Sequence, residues 1–145
     1  MKLIFALLLS LNAFAHDEGH GPKLTDQPKQ GGVVTSVVLA AEASKGSKAT
    51  LVYKAELTRS SSGTVSVFLY DSEMKPLSLA NFKELAAGEL ITRKKGKVAV
   101  QKFEFKRHGD HFMAQMPKPH KKPYNIDIKL SEGERALLAA FDNLD

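Results

Sequence analysis

An all-β fold, an antiparallel β-sandwich or small barrel of about seven or eight short strands, is what this sequence predicts. Three observations carry the prediction. Leu51–Asp71 holds two runs of alternating side chains joined by the small polar loop Arg59-Ser60-Ser61-Ser62-Gly63-Thr64. Further β-branched or alternating runs recur between turn residues along the chain, and no long stretch shows helical periodicity. A period of two fits half-buried strands, and short strands at regular spacing between turns fit sandwiches and barrels.

The strands follow in order. Gly31-Gly32 gives way to the β-branched run Val33–Leu39, a first strand. Residues 42–48 read as a polar loop. In the hairpin of 51–71, Leu51, Tyr53, Ala55 and Leu57 share one face, and Lys54, Glu56 and Thr58 take the other. Val65, Val67 and Leu69 continue the apolar face. A lone hairpin of this kind is unstable in water, so the remaining chain must cover it. Asp71–Leu77 is a turn, with Pro76 at a loop or strand edge because it has no amide hydrogen to donate. Ser78–Ala87 predicts a short helical turn limited by Gly88. Residues 89–93 and 97–107 form a hairpin around Lys95-Gly96. Val98 and Val100 are even whereas Phe103 and Phe105 are odd, which predicts a β-bulge near Gln101-Lys102. His111–Met116 returns as a short strand, and Pro117, Pro119 and Pro123 forbid regular pairing after it. In Tyr124–Leu130 the residues Tyr124, Ile126, Ile128 and Leu130 face inward. Residues 136–141 read as a last strand, although Ala and Leu also suit a helix.

Composition sets further bounds. Met1–Ala15 combines a lysine, an apolar run and Ala13-Phe14-Ala15, the pattern of a cleaved secretory signal. Its apolar run is too short for a membrane anchor. The predicted organisation is a signal peptide over 1–15, a flexible histidine-containing tail over 16–30 and one β domain over 31–145, in a periplasmic or secreted monomer with no membrane span after cleavage. The chain has no cysteine, which removes disulfides, thiolate ligands and a cysteine nucleophile. Its net charge is +5, or +4 once Lys2 leaves with the signal. The basic runs Arg93-Lys94-Lys95-Gly96-Lys97 and Lys118-Pro119-His120-Lys121-Lys122 read as solvated turns, without the interleaved aromatics of a single-strand nucleic-acid groove. No nucleic-acid partner is expected.

No glycine-rich phosphate loop, nucleophile elbow or paired zinc histidines occurs, and Ser60–Ser62 read as turn residues, so no enzymatic activity is expected. Metal chemistry is the better candidate. Cleavage after Ala15 would free the α-amine of His16, which with its ring Nδ1 closes a chelate suited to Cu(II), Ni(II) or Zn(II). Asp17, Glu18 and His20 lie on the same piece. A second group is His108, His111 and Met113, whose imidazole and thioether donors suit copper. His111 and Met113 share a strand face, while Met116 falls on the opposite face with Phe112 and His120 reads as merely exposed.

The HDEGHGP start, the Gly31-Gly32-Val33-Val34 strand, LVYKAEL followed by GTVSVFLYDSEMKPLS, and KPYNIDIKL with ALLAAF resemble small exported bacterial β-sandwich domains. These accompany heavy-metal efflux systems and their periplasmic adaptor proteins. The resemblance spans most of the chain past the signal. It implies a periplasmic accessory protein that binds or hands on a copper- or zinc-class ion, with an efflux component as partner. Members often carry a histidine near the start of the second strand. Leu51-Val52-Tyr53-Lys54 stands there instead, which shifts the expected ligands toward His16 and His20. The other reading is a secreted protein-interaction module of the cell envelope with no metal role.

Overall fold

The computed structural model describes residues 21–145, so the predicted signal and the tail donors His16, Asp17, Glu18 and His20 lie outside the described residues. Eight antiparallel strands form a closed barrel: β1 (Val33–Leu39), β2 (Tyr53–Arg59), β3 (Thr64–Tyr70), β4 (Leu85–Lys94), β5 (Lys97–His108), β6 (His111–Gln115), β7 (Tyr124–Glu132) and β8 (Arg135–Leu144). Around the wall they run β1-β2-β3-β6-β5-β4-β7-β8, and β8 pairs back onto β1. Of the two predicted architectures the chain adopts the barrel, and 136–141 belongs to a strand.

Alternation decides the core. Ala55 and Leu57 of β2, Val65, Val67 and Leu69 of β3, and Ile126, Ile128 and Leu130 of β7 all point inward. Phe105, Phe112 and Phe141 fill the middle with no side-chain exposure worth the name. The interior is therefore packed with side chains, as an eight-stranded barrel allows. The wall carries the opposite polarity: Glu89 lies across from Lys102 on β5 and from Asp127 on β7, and Lys129 bonds Glu89 at 3.0 Å. An apolar inside and a charged outside invert the pattern of a membrane-spanning barrel. Among the described residues no helix is long and apolar enough to cross a membrane.

The link from β3 to β4 closes one end. Leu79 and Phe82 are buried in the core there, and Arg107 Nη1 donates to the carbonyls of both, at 2.8 and 2.7 Å. The predicted helical turn over Ser78–Ala87 reduces to one Phe82-to-Leu79 backbone bond, because Leu85–Ala87 is already strand. Gly88 lies inside that strand rather than ending a helix. A Cβ there would come within 2.8 Å of Phe103 and 2.9 Å of Phe105, so the missing side chain makes room for both rings. The predicted bulge at Gln101-Lys102 is absent: β4 and β5 pair without a register shift from Leu85↔Lys106 to Lys94↔Lys97. The prediction assumed that Val98 and Val100 must be buried. They point outward instead, 54% and 48% exposed, so no change of parity is needed. The register shift occurs between Tyr124 and Ile126. Residues 42–48, expected as loop, belong to short 3-10 turns over Ala40–Lys48 broken at Gly46.

The largest departure concerns residues 21–30, read as part of a flexible tail. They lie against the outer face of β1 and β2 as a strap. The outward residue Glu56 is fully buried beneath it. Its carboxylate accepts the backbone N–H of Lys29 (3.0 Å), Gln30 (2.7 Å) and Gly32 (3.0 Å), and the Tyr70 hydroxyl (2.9 Å). Lys54, also outward and buried, pairs with Asp26 of the strap at 2.8 Å. Gly32 is required where the strap turns into β1: a Cβ would sit 2.1 Å from the Leu57 carbonyl oxygen. Composition underrated this segment because it binds through backbone amides, which every sequence carries.

Burial alone would raise the Glu56 pKa. The bonds from Gly32, Gln30, Tyr70 and Lys29 outweigh it, and the net result lies below the ordinary carboxylate value. Tyr70 is pushed up to about 12, chiefly by burial and then by its bond to the Glu56 charge, so it remains a donor. A depressed native pKa adds stability that is fully present above the unfolded glutamate value of about 4.3 and is lost as pH falls through the lower native value. Glu56→Gln should therefore cost about 2–4 kcal/mol at neutral pH, since its amide turns donors toward donors. Urea unfolding from pH 7 down to pH 2 should show that deficit narrowing as pH falls. Gly88→Val should cost about 1–3 kcal/mol through crowding of Phe103 and Phe105, read in the same assay.

Candidate functional site

With the interior filled by apolar side chains, the described candidate donors lie on the outside of the barrel. The described candidates from the sequence meet at one hairpin. His108 ends β5 and His111 begins β6, and they form the closing pair across Gly109-Asp110. Gly109 has a φ of 63°, which a two-residue turn of this kind needs at its first position. Directly opposed residues share a face with Cβ atoms about 5 Å apart, which brings the two imidazoles to one side of the wall. Met113, two residues along β6, lies on that face opposite Lys106 and Ser66. The predicted parity of His111 and Met113 thus holds. Met116 packs partly against the core, on the side of the buried Phe112.

His111 is the most ordered of the three by its contacts. Its ring stacks on Phe68, centroids 5.0 Å apart and planes at 24°. Its Nδ1 lies 2.8 Å from Asp110 Oδ1. A carboxylate only accepts, so Nδ1 carries the proton and Nε2 keeps its lone pair in the neutral ring. The bond from His111 in turn holds the Asp110 carboxyl below its usual range. A histidine oriented by a carboxylate through one nitrogen and open at the other is the arrangement metal-binding histidines use. Among the described residues no three His, Asp or Glu side chains converge as they would around an ion. Two imidazoles and a thioether on one outer face, with His108 exposed and His111 and Met113 half-buried, are what the folded body offers.

This face adjoins the strap. Phe68 pairs with Glu56 across β2 and β3, and Tyr70, two residues on, is the residue that bonds Glu56. The Lys29 ammonium lies 5.9 Å from the Tyr70 ring centroid. Order in the strap and order behind His111 thus share the outward row of β3.

The second surface was not foreseen. The stem of the β4–β5 hairpin and the loop between β6 and β7 come together at Gln101 and His120, whose Nε2 atoms lie 2.6 Å apart, four ladder pairs in from the closing pair Lys94↔Lys97. His120, read as merely exposed, is exposed and also makes this contact. Two basic runs that looked like separate solvated turns thereby occupy one end of the barrel. Local connectivity accounts for it: β4, β5 and β6 are consecutive hairpins, which puts the β4–β5 turn and the end of β6 at the same end of the barrel. A third grouping, Tyr53, Glu132 and Arg135, is an ion-paired latch. Tyr53 donates to Glu132 at 2.7 Å, and Arg135 bonds Glu132 and lies over the Tyr53 ring.

Compared with family models, with curated proteins and with solved structures, the chain matches none of them. The site must therefore be read from its own atoms.

The tautomer of His111 is directly measurable. Long-range nitrogen–proton correlation spectra above the histidine pKa should show it in the Nδ1–H form, and Asp110→Ala should shift it toward the Nε2–H form that free imidazole favours. An Nε2–H spectrum for the unsubstituted protein would remove the oriented nitrogen.

Proposed function

We propose that this chain is a non-enzymatic, exported accessory protein that binds or hands on a transition-metal ion of the copper or zinc class. The supporting observation is the His108–His111 pair on one outer face, with Asp110 fixing the His111 tautomer and Met113 alongside. Imidazole nitrogen suits copper and zinc alike, and a thioether favours Cu(I). A partly assembled donor set on the outer face suits a protein that receives and releases an ion better than one that retains it. The tail donors His16, Asp17, Glu18 and His20 would complete the ligand set, and an efflux component is the partner this role implies.

Protonation competes with the metal at each imidazole, so affinity should fall as pH drops. The test is titration with Cu(II), Cu(I) and Zn(II), followed by calorimetry and by a competing chelator. Three proteins are compared: the unaltered protein, one lacking residues 16–20, and His108→Ala/His111→Ala. Loss of each donor group should weaken binding about 10- to 100-fold, in line with the loss of ligands or their supports at other metal sites. If all three proteins bind alike, or none binds at micromolar metal, the metal reading is wrong. The envelope interaction module without a metal then takes its place.

A further inference from the structure

The β4–β5 hairpin reaches beyond its neighbours. The last β4 pair with β7 is Ile91↔Asn125, and β5 pairs with β6 only from Lys106 to His108. The ladder between β4 and β5 nevertheless continues to Lys94↔Lys97 and closes through Lys95 and Gly96, both with positive φ. A twisted two-stranded ribbon therefore projects from one end of the barrel. Arg93, Lys94, Lys95 and Lys97 are exposed at its tip, and Lys118, Lys121 and Lys122 are exposed on the adjoining loop. None of these seven pairs with a carboxylate among the described residues. Elsewhere on the wall cations do have partners, as in Lys129–Glu89, Lys106–Glu84 and Lys54–Asp26. The carboxylate bordering this end is that of Asp145, whose main-chain oxygen accepts from Arg59 at 2.8 Å.

The same tip exposes Val98 and Val100, with half-buried Ile91 facing Val100 on the outer side. Seven cations without a carboxylate partner give this end a positive field, and bare β-branched side chains stand beside them. We propose that this end of the barrel docks on an anionic lipid surface: the lysines meet headgroup phosphates, and Val98 and Val100 enter the boundary between headgroups and acyl chains. Lysine stems reach past apolar contacts to bring the ammonium to a phosphate, which suits this mixture. No aromatic side chain stands at the tip to stack on bases, which favours lipid over single-stranded nucleic acid. The contact is peripheral, because the charged wall keeps the barrel out of the bilayer.

Sedimentation with vesicles tests it, using the full chain so that any contribution of the apolar residues 1–15 is common to every variant. The protein should bind vesicles of phosphatidylglycerol and phosphatidylcholine more strongly than phosphatidylcholine alone, and that excess should shrink as salt rises. Each basic residue near an anionic surface is worth about a fivefold change in partition, so Lys94→Glu/Lys95→Glu/Lys97→Glu should lower binding by a hundredfold or more, roughly. Lys118→Glu/Lys121→Glu/Lys122→Glu, on the second loop, gives an independent reading should the first variant fold poorly. Val98→Ser/Val100→Ser should lower binding by roughly tenfold. Equal binding to neutral vesicles, or charge-reversed variants that bind like the unaltered protein, would overturn the proposal. So would a valine variant with unchanged vesicle binding, for the site would then read charge alone and fit any soluble polyanion.

Discussion

A single buried carboxylate holds the outer layer of this protein in place. Glu56 sits on the outward face of β2, where alternation alone would leave it in solvent, and residues 21–32 cover it. The cover and the charge need each other. Without the strap, Glu56 would be a solvated surface residue of no consequence. Without Glu56, three backbone amides would lie against the barrel with nothing to accept them, and buried unpaired amides are costly. The free energy of the arrangement rests on charge-assisted bonds, which are about twice as strong as neutral ones. Desolvating one carboxylate works against them and loses.

That layer shapes where chemistry is possible. Packing closes the barrel interior with Phe105, Phe112 and Phe141, and Leu79 and Phe82 plug one end. The strap occupies the outside of β1 and β2. The outer face around the β5–β6 turn carries His108, His111 and Met113, and the opposite end of β5 carries the basic loops. The first is stiffened from behind: Phe68 supports His111 and lies across from Glu56, so the strap and the histidine face share the same strand rows. The two surfaces lie at opposite ends of β5, a geometry in which anchoring at one leaves the other open to solvent.

The sequence disclosed strand content and inward faces well. Tyr124, Ile126, Ile128 and Leu130 alternate with polar residues, and a pattern of period two has one physical meaning when one side is buried. It disclosed less where a residue's surroundings come from far away. Val98 and Val100 looked like core because β-branched residues in a strand usually are, and a bulge was inferred to bury them. The outer end of a hairpin that overruns its neighbours has no second layer to bury them against. Residues 21–30 looked like linker because proline, glycine and lysine carry no apolar face, whereas the partner they find is a charge on another element. His111 and Met113 were legible as a shared face from parity alone. The supporting ring of Phe68 was not, since it depends on β3 pairing with β6 across more than forty intervening residues.

The central claim is that Glu56 fastens the strap through its backbone amides, and amide hydrogen exchange at Lys29, Gln30 and Gly32 tests it most directly. The account predicts slow exchange of these three amides at neutral pH, with protection that collapses in Glu56→Gln while amides of β7 and β8 keep theirs. Exchange of the same amides at the rate of an unstructured peptide in the unaltered protein would contradict it.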